Sequence, residues 1–343
     1  MPDDPTPDAP SPADERPVDP LLQVRDLHVT YRTRDGEIPA ARGVNFDVYP
    51  GEILAIVGES ASGKSTVGHA ILELLPRGTS EMTGTILWQG RDIATFSAEE
   101  LRRLRGREIA VIFQDAMAAL TPTMTVGDQL AELFRVHLGV NAEEARVHAY
   151  RALSDVMPNA DRLLDVHPFQ LSGGMAQRVM IAMATALQPK LLIADEPTAN
   201  LDPAVRQETI EWLERIRNAG GSVIVITHDF GVVARLADRV AVMYAGQLIE
   251  TADVRTAFKQ PKHPYTFGLL QSLPSFAGGG RLRAMPGQPP DLALLPPECP
   301  FLPRCNKAIA VCRSEPAPPL LPMDDAPGHF AACFNPMAVG LYD

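Results

Sequence analysis

The sequence predicts an α/β fold built on a mostly parallel sheet. Two observations carry this. The apolar runs at Ile53–Val57 and at residues 111–113, 191–194 and 223–227 are strand-sized and lack the alternation of a sheet with one wet face. Longer segments of helical character flank them, the pattern of strands joined by helical crossovers.

The elements follow in order. Leu22-Gln23-Val24 and Leu27-His28-Val29-Thr30-Tyr31 read as strands, and Arg34-Asp35-Gly36-Glu37 as a turn. Pro50-Gly51 punctuates before the first buried strand. A glycine-containing loop at residues 58–65 comes next. Val67, Ala70, Ile71, Leu74 and Leu75 then recur at helical spacing. Residues 125–170 show helical periodicity at Val126–Leu138 and 142–156 and no convincing strand, so they read as a helical insert. From Met285 onward, 13 prolines and all four cysteines fall within 59 residues. That shift marks a small loop-rich module.

Composition bounds the function. The 343 residues suffice for about two domains. Lys+Arg numbers 31 against Asp+Glu 42, a net charge of −11. This argues against nucleic acid as the main partner, since that partner calls for phosphate neutralisation. No run of 18 apolar residues exists to span a bilayer. The first 20 residues hold six acids, one arginine and seven prolines, which reads as a disordered leader rather than a secretory signal. A cytosolic chain is expected, where four cysteines do not form a disulfide framework.

Gly58-Glu59-Ser60-Ala61-Ser62-Gly63-Lys64-Ser65 matches G-x-x-x-x-G-K-[ST] between a strand and a helix. Loop N–H groups and the helix start, through Thr66, would face phosphates. Lys64 would reach the β/γ-phosphates, and the Ser65 hydroxyl would ligate Mg²⁺. Residues 192–196 end an apolar strand with two carboxylates. Asp195 can hold Mg²⁺, and Glu196 can deprotonate an attacking water. Leu171-Ser172-Gly173-Gly174-Met175-Ala176-Gln177 opens a long helix, with Ser172 as N-cap and two glycines exposing N–H groups to an anion. Two such cradles in one chain make sense if the second closes over a nucleotide held by another subunit.

These motifs resemble the ATP-binding subunits of ABC transporters. GESASGKS matches the Walker A loop, LSGGMAQ the signature and LLIADE the Walker B strand. Gln114 matches the Q-loop, Ala199-Asn200-Leu201-Asp202 the D-loop, and His228 the switch histidine. The resemblance implies a RecA-like parallel core with an antiparallel β edge and a helical subdomain at about 115–175, within a nucleotide-binding domain at 21–257. It implies adenine stacking on Tyr31, and Gln114 touching Mg²⁺ or the attacking water. It implies His228 bonding the γ-phosphate and holding Glu196, and Asp202 at a dimer seam. Ser172, Gly173 and Gly174 would contact the γ-phosphate on the opposite subunit. Two departures stand out. Ala61 occupies a glycine position, strained if its φ is positive. Ala176 replaces an arginine common in the family, a change expected to alter contacts across the dimer.

His263-Pro264-Tyr265-Thr266, Met285-Pro286-Gly287-Gln288-Pro289-Pro290 and Cys299-Pro300-Phe301-Leu302-Pro303-Arg304-Cys305 are similar to the C-terminal extension of the oligopeptide/dipeptide and nickel permease ATPases. That extension is assigned to 258–343. The spacing Cys299-x5-Cys305-x6-Cys312-x20-Cys333 favours a common site. From the residues alone, Zn²⁺ or an iron–sulfur cluster fits four thiolates equally well. The resemblance implies a [4Fe–4S] cluster on these four cysteines. His329 reads as structural.

The resemblance further implies a related but non-identical second ATPase, two transmembrane permease subunits and, through the complex, an extracytoplasmic substrate-binding protein. The expected place is peripheral, on the cytoplasmic face of the inner membrane, and the expected work is ATP-driven import of oligopeptides or dipeptides. An importer of nickel or another solute, and a soluble ABC ATPase outside transport, are the alternatives.

Overall fold

A computed structural model describes residues 19–273, 285–323 and 327–338. Of the acidic leader at 1–20, residues 1–18 lie outside these residues. Twelve strands form two sheets among them. They are β1 Leu22–Thr33, β2 Gly36–Val48, β3 Ile53–Val57, β4 Ser80–Trp88, β5 Arg91–Asp92, β6 Ile109–Ile112, β7 Leu191–Asp195, β8 Ser222–Thr227, β9 Arg239–Tyr244, β10 Gln247–Asp253, β11 Leu321–Pro322 and β12 Phe330–Ala331.

The larger sheet runs β11-β12-β10-β9-β3-β8-β7-β6. Its middle, from β9 through β6, is parallel, and β10, β12 and β11 continue it antiparallel. β3, β7 and β8 are buried along their whole length, as their unbroken apolar runs require. Their side chains alternate between two cores. Ile53, Ala55 and Val57 join one cluster with the helices of the insert and of the signature segment. Leu54 and Ile56 join the other, beneath the smaller antiparallel sheet β2-β1-β4-β5.

The helix after β3 spans Lys64–Ile71, shorter than the periodicity through Leu75 suggests. Glu73 turns left-handed (φ 50°), Pro76 disfavours helix at the residue before it, and Leu74 is left exposed. The insert forms two helices, Val126–Leu138 and Ala142–Ser154, each opened by a side-chain cap from Thr125 and Asn141.

The cysteine-rich segment is tied to the main sheet. β12 pairs with β10 through Glu250↔Ala331. Glu250, fully buried, accepts from Lys262 N–H at 2.6 Å, His263 N–H at 2.8 Å and His329 Nε2 at 2.7 Å. His329 is therefore part of this buried hub. Composition changes sharply after residue 258, yet the same sheet runs on beyond it.

Candidate active site

The loop at 58–65 leaves the C-terminal end of β3 and turns into the helix Lys64–Ile71. Close packing dictates its glycines. A Cβ on Gly58 would lie 2.2 Å from Met243 O, and one on Gly63, whose φ is 103°, would lie 2.0 Å from Ala40 O. Ala61 has φ 62°, so the strain foreseen for a non-glycine residue is present. Lys64 is buried, and its Nζ donates to Gly58 O and Glu59 O, both at 2.9 Å. Burial lowers its pKa, against the opposing pull of Glu196, Asp195 and Glu59.

Parallel pairing brings the end of β7 to the end of β8, and Glu196 N–H donates to Ile226 O at 2.8 Å. Ser65 Oγ donates to Asp195 Oδ1 at 3.0 Å, which joins residues 130 apart in sequence. Burial raises the Asp195 pKa, and the Ser65 hydrogen bond opposes that rise. Glu196 sits at φ 46°, its side chain 11% exposed. Its Oε1 meets His228 Nδ1 at 2.9 Å and its Oε2 accepts from Thr227 Oγ1 at 3.3 Å. A carboxylate flanked this way is held in one orientation beside the Ser65–Asp195 pair. Tyr31 Oη and Thr66 Oγ1 are 3.3 Å apart, which fixes the aromatic ring near the helix start. Gln114 is exposed, two residues past the end of β6 and so at the same end of the sheet.

Ser172 Oγ accepts from Met175 N–H at 3.3 Å and caps the helix Gly173–Thr185. Ser172 and Gly173 are exposed, and a Cβ on Gly173 would meet open space. Among the described residues, no hydrogen bond joins Ser172, Gly173 or Gly174 to the loop at 58–65. Gln177 Nε2 donates to Pro197 O at 3.1 Å and links this helix to the segment after Glu196. Asp202 caps the helix Pro203–Asn218 by accepting from Ala204 and Val205 N–H. Ala176 is wholly buried.

Sequence reasoning gave no role to two residues that touch the loop. Tyr265 Oη accepts from Glu59 N–H at 2.8 Å. Arg304 forms a two-pronged pair with the Glu59 carboxylate at 2.7 and 2.9 Å. The His-Pro-Tyr-Thr and Pro-Arg-Cys clusters were the only signals, and neither says what the side chain would reach.

The four cysteines form no disulfide with one another and line one cavity. Among the described residues, no group of three or more His, Cys, Asp or Glu side chains stands at metal-holding distances. Burial raises the Cys299, Cys305 and Cys333 thiols, Cys333 to about 12, and the neighbouring thiols add to the rise. Four soft donors around one cavity suit a thiophilic centre.

Residues 41–199 match the ABC transporter family, and residues 249–312 match the oligopeptide/dipeptide transporter C-terminal region. The oligopeptide transport ATP-binding protein OppD of Salmonella typhimurium is 44% identical over 325 residues, 94% of this chain and 96% of that protein. The chain belongs to the ABC transporter ATP-binding proteins. The dipeptide transport ATP-binding protein DppD of Bacillus subtilis is 47% identical over 296 residues, covering 85% of this ABC protein and 88% of the relative. A solved dimeric, post-hydrolysis structure of the ATP-binding cassette MJ0796, bound to ADP and Pi, superposes with a TM-score of 0.61. It is 28% identical, and the match covers 68% of this chain and 99% of that one. Among the described residues, no helix is long and apolar enough to cross a membrane.

Proposed function

We propose that this chain is the ATP-hydrolysing subunit that powers a peptide importer. The observation that carries the reading is the convergence of Lys64, Ser65, Asp195, Glu196 and His228 at one end of the parallel sheet. Strand register alone brings together a phosphate loop, a divalent-cation pair and an oriented carboxylate.

ATP supplies phosphates to the loop N–H groups of residues 58–66 and to the start of the helix Lys64–Ile71. Lys64 exchanges its two loop carbonyls for β/γ-phosphate oxygens. Ser65 and Asp195, with Gln114 at the neighbouring strand end, would hold Mg²⁺, which neutralises charge on the transferring phosphoryl group. Glu196 takes a proton from the attacking water, and His228 and Thr227 keep its carboxylate aimed. Tyr31 offers its face to adenine. Ser172, Gly173 and Gly174 serve the nucleotide of a second, related ATPase, and Asp202 lies at the seam between the two. The exposed helix start at Gly173, unlinked to this chain's own loop, supports that reading. Closure driven by a phosphate gripped from both sides gives the differential affinity that moves the permease subunits.

The nucleotide-binding domain is assigned to residues 21–257, with the helical part at about 115–175, and the extension to 258–343. Cys299, Cys305, Cys312 and Cys333 would hold a [4Fe–4S] cluster, or Zn²⁺ as the alternative, which stabilises the loop-rich extension. Two permease subunits, a substrate-binding protein reached through them, and the cytoplasmic face of the membrane complete the reading. The similarity to peptide-transport ATP-binding proteins over both segments favours peptides above nickel, and above a soluble role.

Glu196→Gln tests the reading. ATP binding stays within about twofold, and turnover falls by at least ~10²-fold. Near-normal hydrolysis in that variant removes Glu196 from its role.

A further inference from the structure

The segment beyond residue 285 reaches back to the phosphate loop. Arg304 has a side chain only 4% exposed. Its Nη1 and Nη2 donate to Glu59 Oε2 and Oε1 at 2.7 and 2.9 Å. Its Nε donates to Pro286 O at 2.9 Å, and its guanidinium lies 5.8 Å from the Tyr244 ring centre. The fork is thus held by Pro286 O and the Tyr244 ring before it meets Glu59. Glu59 is the second residue of the loop, and its own N–H is taken by Tyr265 Oη at 2.8 Å. Pro289, Pro290 and Leu292 line a small cavity together with Ser60 and Ala61 of the loop.

The frame that presents Arg304 is short and internally bonded. Leu302 N–H donates to Cys299 O at 2.9 Å, Arg304 N–H to Phe301 O at 2.9 Å and Cys305 N–H to Leu302 O at 3.2 Å. Arg304 therefore has little freedom of its own. A charge-assisted, two-pronged bond on a rigid frame fixes both the position and the charge of its partner. Without Arg304, the Glu59 carboxylate would stand unpaired beside the place where phosphates bind.

We propose that Arg304 is a positioning residue for ATP binding. Together with Tyr265 it clamps Glu59, neutralises its charge and holds the phosphate loop in its receiving shape. The cysteine-bearing extension thereby acts on nucleotide affinity from a distance of 245 residues in sequence. The inference rests on the reading of residues 58–65 as the ATP site.

The test uses the full-length protein with a fluorescent ATP analogue and steady-state hydrolysis. Arg304→Ala is expected to raise the Kd and KM for ATP about 10-fold with kcat within about twofold, the pattern of a lost binding contact. Arg304→Lys restores part of the affinity, because charge returns without the fork. Adding Glu59→Gln to Arg304→Ala also restores part, because the unpaired charge is gone. Tyr265→Phe leaves Arg304 in place and is expected to cost about threefold in Kd, which keeps the idea testable if Arg304→Ala does not fold. Circular dichroism melts establish that each variant is folded. Folded Arg304→Ala and Tyr265→Phe proteins that both bind ATP as the wild type does would overturn the proposal. If the wild type binds no analogue, or Lys64→Ala binds as well as the wild type, it is the reading of the loop that fails instead.

Discussion

Replacing Ala61 by glycine isolates the cost of a side chain in the left-handed region. Ala61 is exposed and holds φ at 62°. An L-residue there costs about 1–2 kcal/mol. Glycine escapes that cost but loses about 0.5–1 kcal/mol more backbone entropy on folding. The difference leaves Ala61→Gly stabilising by about 0.5–1 kcal/mol, or about 1–2 °C in Tm for a chain of this size. Where the gain shows depends on what sets the φ. The chain's own bonds fix the loop, since Ser62 N–H donates to Glu59 O, Gly246 N–H to Ser62 O, and Lys64 to two loop carbonyls. The strain therefore belongs to the fold, and its relief raises the melting temperature while ATP affinity stays within about twofold. Paired melting scans and ATP titrations of the two proteins decide the matter. A variant that melts lower, or one that binds ATP several-fold tighter at unchanged Tm, refutes the reasoning.

Two other outcomes are expected. Burial pushes the His263 pKa down to about 4, so the folded chain refuses a proton that the unfolded chain accepts below about 6.5. Stability is full above pH 6.5 and falls by about 3 kcal/mol as the pH drops toward 4. His263→Asn keeps a cap acceptor for Tyr265 N–H and flattens this slope in denaturant melts; an unchanged slope would place the titration elsewhere. Anaerobically purified protein is expected to be brown and to carry iron and sulfide that Cys312→Ser removes. Stoichiometric zinc without iron would reassign the centre.

What the sequence disclosed was whatever depends on neighbours in the chain. The loop at 58–65 must bend within eight residues, and β3 and β7 must be apolar on both faces because two cores grip them. Ser172 announces a helix start by its residue type. The antiparallel strands β4 and β10 left a faint trace, since SEMTGTILW and QLIETAD take their conformation from β1 and β9 rather than from their own pattern. The clamp on Glu59 left none. A glutamate and an arginine 245 positions apart each read as solvated charges, and only the sheet places one over the other. Glu250 makes the same point inside the core. Nothing in its neighbourhood marks a buried carboxylate, yet it gathers two backbone N–H groups and His329, and unpaired it would cost several times more than a surface glutamate. After 258 the chain adds polar hubs to the apolar packing that Tyr265, Leu270 and Phe301 still supply to the main core. Polar hubs work only when their partners are anchored elsewhere, which is why the extension is bonded to β10 and to the phosphate loop. A segment with so little apolar core of its own holds its shape by leaning on the catalytic sheet, and that dependence gives it leverage over the loop it touches.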